Sequence, residues 1–200
     1  VDSDKSISIR AFLIGSISQG ISNLKNVLES EDVFSTIQCL KKLGVKIKKI
    51  KKQNYLVYGK GLGSLITRKK LTLNCGNSGT LTRLLIGILS TTPDINLKIT
   101  GDKSLKKRNM SKLINLMSKF GANFKKNKSN LPFSIVSSSM PVGISYSAGV
   151  SAQLKSAVIL AGLNSYGFTT IEENSEFKSR NHTENFLLQS PGVLKIKRNQ

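Results

Sequence analysis

Five short stretches carry the residue types that handle phosphate and carboxylate groups. They are Asp4-Lys5-Ser6-Ile7-Ser8-Ile9-Arg10, Gly76-Asn77-Ser78-Gly79-Thr80-Leu81-Thr82-Arg83, Gly101-Asp102-Lys103-Ser104-Leu105-Lys106-Lys107-Arg108, Ser151-Ala152-Gln153-Leu154-Lys155-Ser156-Ala157 and Ser179-Arg180-Asn181-His182-Thr183-Glu184. Lys5, Arg10, Arg108 and Arg180 supply fixed positive charge. Arginine in particular grips carboxylate and phosphate through paired, charge-assisted hydrogen bonds. Small residues at such places let a ligand come close to the backbone. Where they open a helix, the free N–H groups of its first turn add positive potential, worth about 0.3–1 kcal/mol for an exposed anion. This chemistry suits a small molecule with several negative charges.

Such stretches act together only if the fold gathers them, and the chain contains a repeat that would do so. Gly44, Gly121 and Gly192 each end a helical pattern and precede an extended one, and they lie 77 and 71 residues apart. Arg10, Arg83 and Lys155 each follow a small-residue turn that opens an apolar helix, and they lie 73 and 72 residues apart. Each unit reads helix, strand, helix, strand, strand. The first has a helix over 10–19, an extended stretch over 21–27, and a helix capped by Ser30 with the stripe Val33, Phe34, Ile37 and Leu40. Strands over 45–50 and 55–58 complete it. The second has a lead-in at 71–74, a helix over 79–89, a strand over 95–100, and the helical stripe Met110, Leu113, Ile114 and Met117. Strands near 122–125 and 133–136 follow. The third has a lead-in at 143–146, a helix over 151–163, a strand over 169–172, a helix near 183–188 and a strand over 193–197. This predicts an α/β fold, a single domain over 1–200 built as a pseudo-threefold set of units near 1–65, 66–140 and 141–200. There is neither a G-x-G-x-x-G turn nor a P-loop, so a nucleotide-binding Rossmann reading fails.

Composition narrows the function classes. The 200 residues hold 31 Lys+Arg against 11 Asp+Glu, a formal net charge of +20, with 38% hydrophobic residues. That charge invites a nucleic-acid reading. Most of it is lysine, however, and the densest run, Lys41, Lys42, Lys46, Lys48, Lys49, Lys51 and Lys52, has no interleaved aromatics to stack on bases. A solvated lysine face is the favoured reading. No apolar stretch approaches the roughly 18 residues of a membrane span. Two cysteines and one histidine make no disulfide framework and no zinc spacing. Cys39 reads as core, and Cys75 as partly exposed beside the Gly76 loop. His182 reads as a local hydrogen-bonding residue near a helix start. With one histidine a His-rich metal site is impossible, and the chain reads as part of a cytoplasmic protein.

Taken in order, the five stretches resemble the signatures of the 5-enolpyruvylshikimate-3-phosphate synthase (3-phosphoshikimate 1-carboxyvinyltransferase) family, over Asp4 to Glu184. The resemblance implies an inside-out α/β barrel-like domain, the first of two similar domains, with the site in the cleft between them. It implies transfer of the enolpyruvyl group of phosphoenolpyruvate to the 5-hydroxyl of shikimate 3-phosphate, in the shikimate pathway, with no metal or organic cofactor. By this resemblance Lys5 contacts both substrates and is the catalytic candidate. Ser6, Arg10, Ser151, Ala152, Gln153 and Arg180 hold shikimate 3-phosphate. Asn77, Gly79, Arg108 and Gln153 join Lys5 on phosphoenolpyruvate. Arg83 and Lys155 mark the repeat, and a structural or a binding role is open to each. Ser3, Ile9 and Asn109 depart from the family's usual Gly, His and Pro. The acidic catalytic residues belong to the second domain, so this chain is expected to be a half-site without turnover. The full enzyme is expected to be monomeric and inhibited by glyphosate, because Gly79 lacks a methyl group that would narrow the pocket. Two rivals are the sister transferase acting on UDP-N-acetylglucosamine and a basic RNA-binding module resembling RNA 3′-phosphate cyclases.

Overall fold

Asp4, Ser78 and Ser151, each with an extended backbone, start an apolar helix in the same way. The side chain of each accepts a hydrogen bond from the backbone N–H three residues on, in Ile7, Leu81 and Leu154. That satisfies one of the free donors that every helix start exposes. The structure is a computed structural model and describes residues 4–67, 70–125, 129–173 and 179–196. Its elements run α1 (Lys5–Ile17), β1 (Gln19–Leu24), α2 (Glu31–Lys42), β2 (Lys46–Lys51) and β3 (Asn54–Lys60). Then come β4 (Thr72–Asn74), α3 (Gly79–Thr91), β5 (Asn96–Thr100), α4 (Lys103–Lys106), α5 (Ser111–Lys119), β6 (Asn123–Lys125) and β7 (Phe133–Val136). The last are β8 (Ser145–Ala148), α6 (Ala152–Gly162), β9 (Thr170–Glu173) and α7 (His182–Leu187).

The first two units share a sheet pattern, and the second and third share a strand–helix–strand passage. The first sheet has the order β1-β3-β2 and the second β4-β5-β7-β6, so β1, β2 and β3 match β5, β6 and β7. The strand–helix–strand passages β4-α3-β5 and β8-α6-β9 both return parallel. Gly44 and Gly121, at φ +86° and +94°, make the left-handed turns that end α2 and α5.

Helices α1, α3 and α6 are the inner layer, and the sheets cover them. Of α3, every residue but Arg83 is buried. This follows from sequence: α1, α3 and α6 are apolar on nearly all faces, whereas α2 and α5 carry a single stripe. Phe12, Leu13, Leu81, Leu84, Leu85, Val158 and Leu160 form the centre. Helices α3 and α6 approach backbone to backbone at Gly87. A Cβ there would lie 2.5 Å from the carbonyl oxygen of Ala157.

Several expectations need correction. The first helix starts at Lys5, not Arg10, because Asp4 caps it; β1 accordingly starts at Gln19. Ser30 precedes α2 but its hydroxyl is buried without a partner, so Glu31 and Asp32 in the first turn carry that helix start. The Arg108 loop contains α4, capped by Asp102. Cys75 is fully buried rather than partly exposed. The strand over 193–197 does not form at 193–196, where Val193 and Ile196 are exposed and find no strand to pair with; Lys197 lies outside the described residues. Tyrosines do meet the lysine run, from the neighbouring strand: Lys46 Nζ lies 4.7 Å from the Tyr58 ring centroid and Lys49 Nζ 5.8 Å from that of Tyr55. Tyr55 is buried, so this is no stacking platform for bases. Among the described residues no helix is long and apolar enough to cross a membrane.

Candidate active site

The three capped helix starts open onto one cavity of about 420 Å³. Ser6, Thr80 and Gln153 line it, and each stands two residues after its helix cap. The pseudo-symmetry therefore brings three first turns, with their free N–H groups, to a common space. Arg10, Ser151, Ala152, Arg180, Ser179 and His182 also line the wall.

Arg10 is buried in α1 and held from three sides. Its Nε donates to Thr183 Oγ1 at 2.9 Å, its Nη2 to Ser156 Oγ at 3.2 Å and its Nη1 to the Ser6 carbonyl at 3.0 Å. Burial lowers its pKa, Glu184 works against that, and the nearby Arg180 adds to it. An arginine remains protonated throughout. Ser151 is the cap of α6 and lines the cavity, and its hydroxyl can still donate one hydrogen bond.

Next to this wall the first turn of α3 carries a second cationic cluster. Arg83 Nη1 donates to the Gly79 carbonyl at 3.2 Å and to Gln153 Oε1 at 2.9 Å. Gln153 Nε2 donates to Thr80 Oγ1 at 2.9 Å. Arg108 Nη2 donates to Asn77 Oδ1 at 2.8 Å. A Cβ on Gly79 would lie 2.6 Å from Arg108 Nη1 and 2.7 Å from Arg83 Nη1. Two guanidinium groups thus flank a glycine at a helix N-terminus. Burial lowers the pKa of Arg83 and the charge of Arg108 lowers it further. Such an arrangement is relieved by an anion.

Six of the residues singled out from sequence line the cavity: Ser6, Arg10, Ser151, Ala152, Gln153 and Arg180. Asn77, Gly79 and Arg108 gather beside it at the Arg83 cluster. Lys5 is set apart: its half-exposed ammonium pairs with Asp32 of α2 at 3.1 Å. Thr80, Ser179 and the cavity-side place of His182 were missed. Aligning the three helix caps, rather than the three cations, would have found Thr80. Arg10, Arg83 and Lys155 follow their caps by six, five and four residues, so the helices turn them in different directions. Among the described residues no three His, Cys, Asp or Glu side chains gather to hold a metal ion.

Comparison with known proteins gives the family. The family model described as EPSP synthase (3-phosphoshikimate 1-carboxyvinyltransferase) matches residues 1–199. The 3-phosphoshikimate 1-carboxyvinyltransferase of Thermoanaerobacter sp. (strain X514) is 44% identical over 185 residues, which are 92% of this chain and 42% of that protein. That of Desulforamulus reducens is 40% identical over 199 residues, 98% of this chain and 46% of that protein. The solved EPSP synthase of Acinetobacter baumannii superposes with a TM-score of 0.88 at 34% identity, over 97% of this chain and 43% of that one. The chain spans less than half the length of the curated relatives it matches. Matched by the family model over residues 1–199 and in fold over 97% of its length, the chain belongs to the EPSP synthase (3-phosphoshikimate 1-carboxyvinyltransferase) family.

Proposed function

We propose that this chain supplies the shikimate 3-phosphate side of an enolpyruvyl transferase active site, and that a second, similar domain completes it. The observation that supports this most is the convergence of three capped helix N-termini with Arg10 and Arg180 on one cavity. A phosphate and a carboxylate in that space meet free N–H groups and fixed cations. The Gly79, Arg83 and Arg108 cluster beside it suits the smaller, doubly anionic phosphoenolpyruvate. The reaction joins the 5-hydroxyl oxygen of shikimate 3-phosphate, as it gives up its proton to a base, to the central carbon of phosphoenolpyruvate, whose methylene takes a proton from an acid. Loss of phosphate and of a methyl proton then restores the double bond. Donors fixed before the reaction stabilise the charge that develops. Lys5 serves as the catalytic cation of this half once Asp32 releases it. The acid–base groups come from the second domain, so residues 1–200 alone bind shikimate 3-phosphate and do not turn over.

Calorimetric titration with shikimate 3-phosphate, run beside an RNA titration, tests this. Saturable binding of the small ligand, weakened but still measurable in Arg180→Ala, is expected. Tight RNA binding with a steep salt dependence and no response to shikimate 3-phosphate would overturn it. So would enolpyruvyl transfer by this chain alone, as far as the half-site is concerned.

A further inference from the structure

Lys155 lies in the apolar helix α6 and is only 1% exposed. A buried ammonium persists when it is paired and hydrogen-bonded. Its Nζ stands 2.8 Å from Glu173 Oε1 and 2.6 Å from Glu184 Oε1. Burial alone would lower its pKa; the hydrogen bonds and charges of the two glutamates outweigh that and raise it. Lys155 is therefore charged at neutral pH.

The two glutamates lead to different ends of one short segment. Glu173 Oε1 also accepts from the Ser179 backbone N–H at 3.3 Å and from its hydroxyl at 3.1 Å. Glu184 is itself in α7, beside Thr183, whose hydroxyl donates to Ser156 Oγ at 2.8 Å. One ammonium thus ties residues 179 and 184, and between them Arg180 and His182 face the cavity. Lys155, Glu173 and Glu184 do not line it.

Arg180 needs such a tie. It stands near enough to Arg10 for their charges to oppose one another. Left free, the exposed Arg180 would move away into solvent. We infer that Lys155 is a positioning residue: with Glu173 and Glu184 it holds the 179–184 segment so that Arg180 stands beside Arg10 before any anion binds. Holding like charges together in advance leaves less ordering to be done when the anion arrives. The inference rests on the cavity being the shikimate 3-phosphate site.

A double-mutant cycle on the 200-residue chain tests it, read by calorimetry with shikimate 3-phosphate and with thermal unfolding as the check of fold. Glu173 is a third exposed, so Glu173→Ala cuts the Ser179 tie and leaves Lys155 paired with Glu184. Lys155→Met and Glu173→Ala should each weaken binding by about tenfold, the size of coupling inside one charged network. Lys155→Arg, which keeps both carboxylates paired, should restore it. In an Arg180→Ala background, Glu173→Ala should cost nothing further, because it acts through Arg180. Where Lys155→Met fails to fold, Glu173→Ala decides. Unchanged affinity in Glu173→Ala, or a loss that simply adds to that of Arg180→Ala, would overturn the inference while leaving the site in place. Absence of binding by the unaltered chain would instead overturn the reading of the cavity, and the inference with it.

Discussion

Arg83 Nη1 donates to Gln153 Oε1 at 2.9 Å and so joins the first turns of two helices 70 residues apart in sequence. The same amide reaches Thr80 through its nitrogen. Gln153 is therefore the bridge between the Gly79 cluster and the Arg10–Arg180 wall. Gln153→Leu keeps the bulk and removes both bonds. It also leaves an Arg83 donor unpaired in a partly buried site. A cost of about 1–2 kcal/mol in unfolding free energy is expected from two net hydrogen bonds. Urea denaturation measures it, and an unchanged midpoint would show that the bridge contributes nothing.

Gly79→Ala should separate function from stability. The new methyl would meet two guanidinium ends, at 2.6 and 2.7 Å, and both are flexible enough to move away. Stability should fall by no more than about 1 kcal/mol, the net worth of the Arg83–Gln153 bond that gives way. The displaced arginines no longer flank the first turn of α3. In an enzyme that carries this domain with its second domain, the KM for phosphoenolpyruvate should rise. Glyphosate inhibition should need more inhibitor, while the KM for shikimate 3-phosphate stays within about twofold. Equal loss for both substrates would show that the cluster is not specific to phosphoenolpyruvate.

The repeat was legible because its marks are local. Caps at Ser78 and Ser151 and left-handed glycines at Gly44 and Gly121 act within a few residues, and sequence records them. The place of Arg180 and Gln153 on the candidate site's wall was legible because their neighbours form a recognisable stretch. What sequence did not disclose is direction. Arg10, Arg83 and Lys155 share a spacing, yet one binds Thr183 and Ser156, one binds Gln153, and one is buried between two glutamates. A one-residue shift along a helix turns a side chain by about 100°. The pairing of Lys155 with Glu173 and Glu184 spans a strand and a turn, and no local pattern encodes it. The strand expected after Gly192 failed for a related reason: alternation specifies a face, but only a paired neighbour makes a strand.

Gly87→Ala sets two effects against each other in the interior. Alanine favours a helix over glycine by about 1 kcal/mol. Here its methyl would lie 2.5 Å from the Ala157 carbonyl oxygen and 2.9 Å from the Ala157 Cα, which are backbone atoms of α6 that cannot turn aside. The helices must separate, and overpacking of this kind costs about 1–3 kcal/mol. Net destabilisation is expected, seen as a lower urea midpoint with an unchanged slope. A stabilised variant would mean that α3 and α6 do not pack backbone to backbone.

Acid sensitivity should centre on Glu29, which joins the loop before α2 to β2 and β3. Its Oε1 lies 2.8 Å from Lys49 Nζ and accepts from Tyr55 OH at 2.7 Å and from the Gln53 backbone N–H at 3.0 Å. The bond from Lys49, then those from Tyr55 and Gln53, hold its pKa at about 2 against an ordinary 4.5. Folding thus favours the ionised form. The stability this gives is fully present above about pH 4.5 and is lost as pH falls toward about 2. Glu29→Gln removes the titration, so its melting temperature should fall less steeply than the unaltered chain's between those limits. At pH 6 it should sit lower, because a neutral amide is a weaker acceptor for the lysine and the phenol, and the gap should close toward about pH 2. Glu173 is also held low, so part of the acid loss should survive in the variant. Melting curves collected from pH 2 to 6 distinguish the outcomes, and parallel curves for the two proteins would show that the Glu29 cluster is not held together in the folded chain.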